Sequence, residues 1–277
     1  MDDPICAKRT KEALLKVARA KKHIGEFDVA RIAFLGTNPY AAVPEYDIKE
    51  NLTVFFLDRW EEVPDTILLP LGDAVHNLRS ALEYLWRQLV EVCNGRTLDP
   101  KERPAFPVFE DLKRFDKYLA KPDRIVEAAT VKRTENVLRR IKPYKGGDDT
   151  IWGLNELDYI DKHRFLITAA IGVSHIGVEV GGRTLERLFP SNVRLSSPLP
   201  QRTAWFHPRR SHLWGTKKGD PIFSIEGNFE ANQDVQLTFD IALTEPEVFK
   251  GKPVLETLFT AAKVVENLIT DFEPFLL

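Results

Sequence analysis

The alternation of apolar and polar residues along the chain changes period several times, and each change marks an element. From about Ala7 to Leu35, the residues Leu14, Val17, Ile24, Phe27 and Phe34 recur at helical spacing among Lys, Arg and Glu. This predicts a long amphipathic helix that Gly36-Thr37-Asn38-Pro39 stops. Two extended segments follow, about Ala42 to Ile48 and Leu52 to Leu57, and together they read as a hairpin. Next, Leu71, Val75, Leu78, Leu82, Leu85, Leu89 and Val92 alternate steps of four and three, one apolar stripe on a helix from about Pro70 to Val92 that Asn94-Gly95 ends. A Pro-rich connection (Pro100, Pro104, Pro107) leads to two more helices, about Leu112 to Leu119 and Arg124 to Ile141. After the break at Pro143-Tyr144-Lys145-Gly146-Gly147, Asp148, Asp149 or Thr150 caps a helix expected to reach about Ile171, with Leu154, Leu157 and Ile160 on one side.

Beyond that point the period shortens. Val173 to Val180, Val193 to Leu195, Thr203 to Phe206, Pro221 to Glu226 and Val235 to Leu243 are short β-like runs divided by Gly, Pro, Asn and Asp. A last helix opens near Gly251 and Pro253 and carries Leu255, Leu258, Ala262, Val265, Ile269 and Phe272 at three- and four-residue steps. The expected fold class is α+β: a bundle-like helical half with an antiparallel β-sheet. One domain over 1–277 is expected, with a helical core at 7–171 plus 252–275 and a mostly β segment at 172–250.

Composition alters this picture little. Hydrophobic residues are 43% and charged residues 29% of 277, values of a globular chain. The formal net charge of −2 argues against gripping nucleic acid by bulk positive charge and leaves only local basic patches for that task. Cys6 and Cys93 form no framework, so no disulfide is expected. No apolar window approaches a membrane span, and a cytoplasmic location with no membrane partner is the expectation.

The unusual feature is polar. At about 100° per residue, Asp73, His76, Ser80, Glu83, Tyr84 and Arg87 fall within roughly 50° of the pole opposite the apolar stripe of the 70–92 helix. Asn77 flanks that band on one side. Arg79 and Trp86 flank it on the other, nearer the stripe. In the 149–171 helix, continuing the stripe from Leu157 by four and seven residues lands on Asp161 and Arg164, which are therefore expected to face inward with Lys162 and His163 beside them. Buried charges persist only when paired, so one reading is an ion-pair network that fixes how the helices dock, using Asp161 with Arg164, or Asp73 and Arg79.

The same groups are those that catalysis uses. Ser80 lies one turn from His76, but no Gly-x-Ser-x-Gly elbow supports a serine hydrolase. Asp73-x-x-His76, with Asp158, Asp161 or His163, offers ligands for a metal-dependent hydrolase, without any His-Glu-x-x-His or paired Cys signature. No cofactor motif is present, and none is expected. The run from Trp205 to Trp214 mixes aromatics with cations, and Lys132, Arg133, Arg139, Arg140, Lys142 and Lys145 form a basic stretch; amphipathic loops and exposed helices carry both routinely.

Gly72-Asp73-x-x-His76-Asn77-Leu78-Arg79-Ser80-Ala81-Leu82-Glu83, with Pro143-Tyr144 and then Asp161-Lys162-His163-Arg164, resembles a family of uncharacterised bacterial proteins over about the first two thirds of the chain. A more distant resemblance is to HEPN domains, helical modules of toxins and phage-defence ribonucleases, whose active site is an Arg followed after four to six residues by a His near a dimer interface. That resemblance implies a metal-independent ribonuclease, RNA as partner and a homodimer. It places His76, Arg79, Asp73, Asn77 and Tyr84 as catalytic candidates, with Glu83, Asp161, Lys162, His163 and Arg164 as binding residues. Where the pattern has its His, this chain has Tyr84, whose ordinary pKa near 10 suits acid–base work at neutral pH poorly. His76, one turn before Arg79, is the stand-in, with Arg79 as the phosphate-binding cation. The competing reading is a non-catalytic interaction protein whose polar cluster is structural.

Overall fold

In the computed structural model, residues 4–163, 167, 169–180, 202–206, 218–229 and 235–277 are described. The fold is α+β. The chain divides into two compact units: Met1–Val29, Pro64–Thr168 and Glu245–Leu277 make the first, and Ala30–Val63 with Ala169–Thr244 the second.

The first unit is helical. It holds the larger part of α1 (Pro4–Gly36), then α2 (Asp65–Asn94), α3 (Leu112–Ala120), α4 (Ala128–Ile141), α5 (Asp149–His163) and α6 (Val254–Phe272). Helix α2 is the axis of the unit and packs against α4, α5 and α6. Its apolar stripe is buried from Leu71 to Leu89, and the helix starts five residues before the expected Pro70 because Ile67 and Leu68 add a buried turn. That packing offsets the hydrogen bond Pro70 cannot donate. At the other end Gly95, at φ 63°, takes the left-handed conformation that a helix stop requires, and its N–H reaches Glu91 and Val92.

Trp86, Phe106 and Phe272 meet edge to face at 5.9–6.3 Å in the centre of this unit. Beside them lies a buried carboxylate, Glu127. It accepts from Trp86 Nε1 at 3.3 Å, from the Ala105 N–H at 3.1 Å and from the Tyr118 hydroxyl at 3.2 Å, so its burial is compensated. Burial, then the Glu127 charge, pushes the Tyr118 phenol above its ordinary range.

Two expectations need correction. Leu14 is 43% exposed; the buried stripe of α1 runs instead through Thr10, Ala13, Val17, Ala20, Ile24 and Phe27. Helix α5 was expected to reach Ile171, but its last residue is His163 and Ala169–Val180 is strand β3. An apolar run such as Ala169-Ala170-Ile171-Gly172-Val173 has no period that separates helix from strand, and ladder pairing decides it. Asp148 is the residue that caps α5, accepting from the N–H groups of Thr150 and Ile151 at 2.9 and 3.1 Å.

The second unit carries strands β1 (Ala41–Asp47), β2 (Leu52–Arg59), β3, β4 (Arg202–Phe206), β5 (Pro221–Glu226) and β6 (Val235–Leu243). They form two three-stranded sheets, in the orders β1-β2-β5 and β4-β3-β6, and every pairing is antiparallel. The expected hairpin is β1–β2, with Ala42 opposite Leu57 and Asp47 opposite Leu52. Along β2, Thr53, Phe55 and Leu57 alternate inward, as a half-buried strand demands. The expected strand at Val193 to Leu195 lies outside the described residues, as do His207 to Trp214 of the aromatic and cationic run.

Candidate functional site

The polar cluster lies in the first unit, along the seam where α2 and α5 run antiparallel. One pair of residues meets at each turn. Gly72 faces Asp161, His76 faces Asp158, and Arg79 faces Asn155. Helical periodicity explains the order: steps of three or four along α2 are matched by steps of three along α5 in the opposite direction.

The first pair depends on the glycine. A Cβ on Gly72 would come within 2.8 Å of Asp161 Cγ, so the missing side chain is the notch in which that carboxylate sits. Asp161 is half-buried there, and among the described residues it has no hydrogen bond or ion pair at all. Burial, then the neighbouring Asp158 and Asp73 carboxylates, pushes its carboxyl above the ordinary range, against the pull of His76 and Lys162.

The second pair is the most organised. Asp158 is buried, and its two oxygens serve different partners. Oδ1 lies 3.1 Å from His76 Nδ1, and Oδ2 accepts from Lys162 Nζ at 2.6 Å. The His76 side chain is 47% exposed, with Nε2 3.5 Å from the Ser80 hydroxyl. A buried carboxylate on Nδ1 fixes the ring orientation and leaves Nε2 as the working nitrogen. Lys162 is 42% exposed, so its ammonium also faces solvent.

The third pair is sealed. Arg79 is 8% exposed; its Nε donates to Asn155 Oδ1 and its Nη2 to the Phe106 carbonyl, both at 3.1 Å. Nη1 lies 2.7 Å from Glu83 Oε1 but makes no directional hydrogen bond, so charge holds that contact. Glu83 in turn accepts from the Phe106 N–H at 3.0 Å. Burial lowers the Arg79 pKa, opposed by Glu83 and Asp158, and burial raises that of Glu83, opposed by Arg79 and the Phe106 N–H. The expectation that Arg79 meets a phosphate therefore changes: its guanidinium faces protein groups on every side and acts as a strut.

Asn77 is also internal. Its Nδ2 donates to the Asp73 carbonyl at 2.7 Å, and its Oδ1 accepts from Lys16 of α1 at 3.3 Å. Lys16 also stands 5.7 Å from the ring centre of Tyr84, which is exposed. Asp73 is exposed and lies 4.0 Å from His23, a buried imidazole of α1 that meets Glu26 at 2.8 Å. His163 leaves the cluster and stacks on Tyr159 at 4.8 Å. Arg164 lies outside the described residues.

Sequence reasoning did not single out Lys16, His23 or Asn155. His23 carried a usable signal, a polar residue on the buried stripe beside Ile24. Asn155 carried none, because an amide on a helix flank is ordinary. Half of the basic stretch around α4 is paired with acids: Arg139 meets Glu135 and Asp116, Arg140 meets Asp271, and Lys145 meets Glu247. Among the described residues no set of three or more His, Cys, Asp or Glu side chains is arranged to hold a metal ion, and no helix is long and apolar enough to cross a membrane. Comparison with known proteins brings no match: no family model, no curated protein and no solved structure corresponds to this chain, and the reading of the site rests on its own chemistry.

Proposed function

We propose that the exposed part of the cluster is an acid–base centre for metal-independent hydrolytic chemistry on a phosphodiester, with RNA as the substrate class. The observation that carries this is His76, whose Nδ1 rests on a buried carboxylate while Nε2 faces outward. In RNA cleavage, Nε2 removes the proton of the ribose 2′-hydroxyl as that oxygen attacks phosphorus. Asp158 orients the ring and stabilises the imidazolium that forms. Lys162, held on the other oxygen of the same carboxylate, is the cation available to the phosphate, the task first assigned to Arg79.

The test is cleavage of a single-stranded RNA in excess chelator. His76→Ala should lose about 100-fold or more in rate, Asp158→Asn should fall as well, and His76→Ala should stay folded at the assay temperature because Asp158 keeps its Lys162 partner. Wild-type protein that leaves RNA intact, or His76→Ala cleaving at the wild-type rate, would end the proposal. The sealed Arg79–Glu83–Asn155 group favours a second reading, in which the whole seam only docks α2 on α5. An inactive wild type, with lowered melting temperatures for variants along the entire seam, would establish it.

A further inference from the structure

Resting on the acid–base reading of His76, we infer that Asp161 is the second catalytic group of the site, the acid that protonates the departing oxygen. Three observations converge on it. Its carboxyl lies in the notch at Gly72, one turn from His76 on the same seam, so the two groups stand about 5 Å apart along the helices. Among the described residues it has no hydrogen-bonding partner, whereas the neighbouring Asp158 is saturated by His76 and Lys162. A half-buried carboxyl without a partner is less favourable as an anion than a solvated one, which makes it a better proton donor than an ordinary aspartate. The raised pKa agrees with this, and the groups that set it are Asp158 and Lys162 on α5 with Asp73 and His76 on α2.

The step balances without a co-reactant. The 2′-oxygen forms a bond to phosphorus as its proton passes to His76 Nε2, the bond from phosphorus to the 5′-oxygen breaks, and the Asp161 proton moves to that oxygen. The products are a cyclic phosphate and a free 5′-hydroxyl, with Asp161 left as carboxylate and His76 as imidazolium, and solvent exchange restores both.

The experiment compares two substrates, a short single-stranded RNA and a ribonucleoside phosphodiester with p-nitrophenolate as leaving group. The aryl oxide leaves without protonation, so an acid is needed only for RNA. Asp161→Asn should lose about 100-fold or more in kcat on RNA, with KM little changed, and keep wild-type turnover of the aryl ester; His76→Ala should lose both. Gly72→Ala provides a second perturbation, since its Cβ expels the carboxyl from the notch while alanine suits the helix, and it should reproduce the Asp161→Asn pattern. Wild-type kcat on RNA for Asp161→Asn, or equal losses on both substrates in folded variants, would overturn the inference and leave His76 as the centre. Wild-type protein inert toward both substrates would overturn the underlying acid–base reading, and this inference with it.

Discussion

Arg79→Ala separates a strut from a ligand-binding cation most directly. The truncation removes two hydrogen bonds, to Asn155 Oδ1 and the Phe106 carbonyl, and takes the counter-charge from Glu83, all in a region where Arg79 is 8% exposed. Breaking a buried pair by removing one partner costs about 3–5 kcal/mol, and the half-buried Glu83 places this case toward the lower end. Against a whole stability of about 5–15 kcal/mol, such a loss would be visible in any chemical denaturation curve. The pH dependence gives a sharper signature. Burial already raises the Glu83 pKa and Arg79 is the largest force opposing it, so without Arg79 the folded-state pKa rises further. A raised folded-state pKa contributes stability that is present below the unfolded glutamate value, about 4.3, and lost as pH rises through the folded value. The deficit of Arg79→Ala should therefore be large at neutral pH and shrink as the pH falls toward 4. Arg79→Met combined with Glu83→Met should recover most of the loss, because apolar replacement of both partners leaves no orphaned charge. A deficit below about 0.5 kcal/mol for the single variant, or one that grows on acidification, would refute the account of Arg79 as a strut.

Two further outcomes follow from the same geometry. Gly153→Ala in α5 would drive a Cβ to 2.5 Å from the ring of Phe249, which is itself buried, and overpacking of this kind outweighs the helix propensity of alanine by about 1–2 kcal/mol, measurable as a lower melting temperature. Asp161→Asn should act in the opposite sense. The raised pKa of Asp161 means that its ionised form costs stability at neutral pH, so the variant should melt above wild type at pH 7, and the gain should vanish below the unfolded aspartate value of about 3.9; a variant that melts lower at pH 7 would show an unseen partner for the carboxylate.

Most helices were legible because they are amphipathic and punctuated. The stop at Gly95 and the cap at Asp148 are where turn chemistry puts them. What escaped was decided by contacts that residue spacing does not record. Periodicity picks the larger of two neighbouring apolar residues, Leu14 over Ala13, whereas the helix buries the small one and leaves Leu14 43% exposed. The end of α5 escaped for a different reason: from Ala169 onward the residues suit either period, and only the ladder with β6, Ala169 opposite Leu243, makes them a strand. Hydrogen bonds to main-chain groups, such as Arg79 to Phe106, leave no trace in residue spacing.

The wheel position of Arg79, nearer the apolar stripe than His76, already contained the division that the structure makes explicit. A residue about a quarter turn from the buried pole has its head group covered whenever a neighbouring helix lies on that side, and α5 lies there. His76, further round, keeps Nδ1 on α5 while its side chain is 47% exposed, with Nε2 beside Ser80. One helix thus supplies both a charge enclosed for docking and an imidazole left accessible for the chemistry proposed above. The two belong together physically, because an acid–base group is useful only if its orientation persists, and the sealed pair one turn away holds the carboxylate-bearing helix at the distance that Asp158 needs to reach His76.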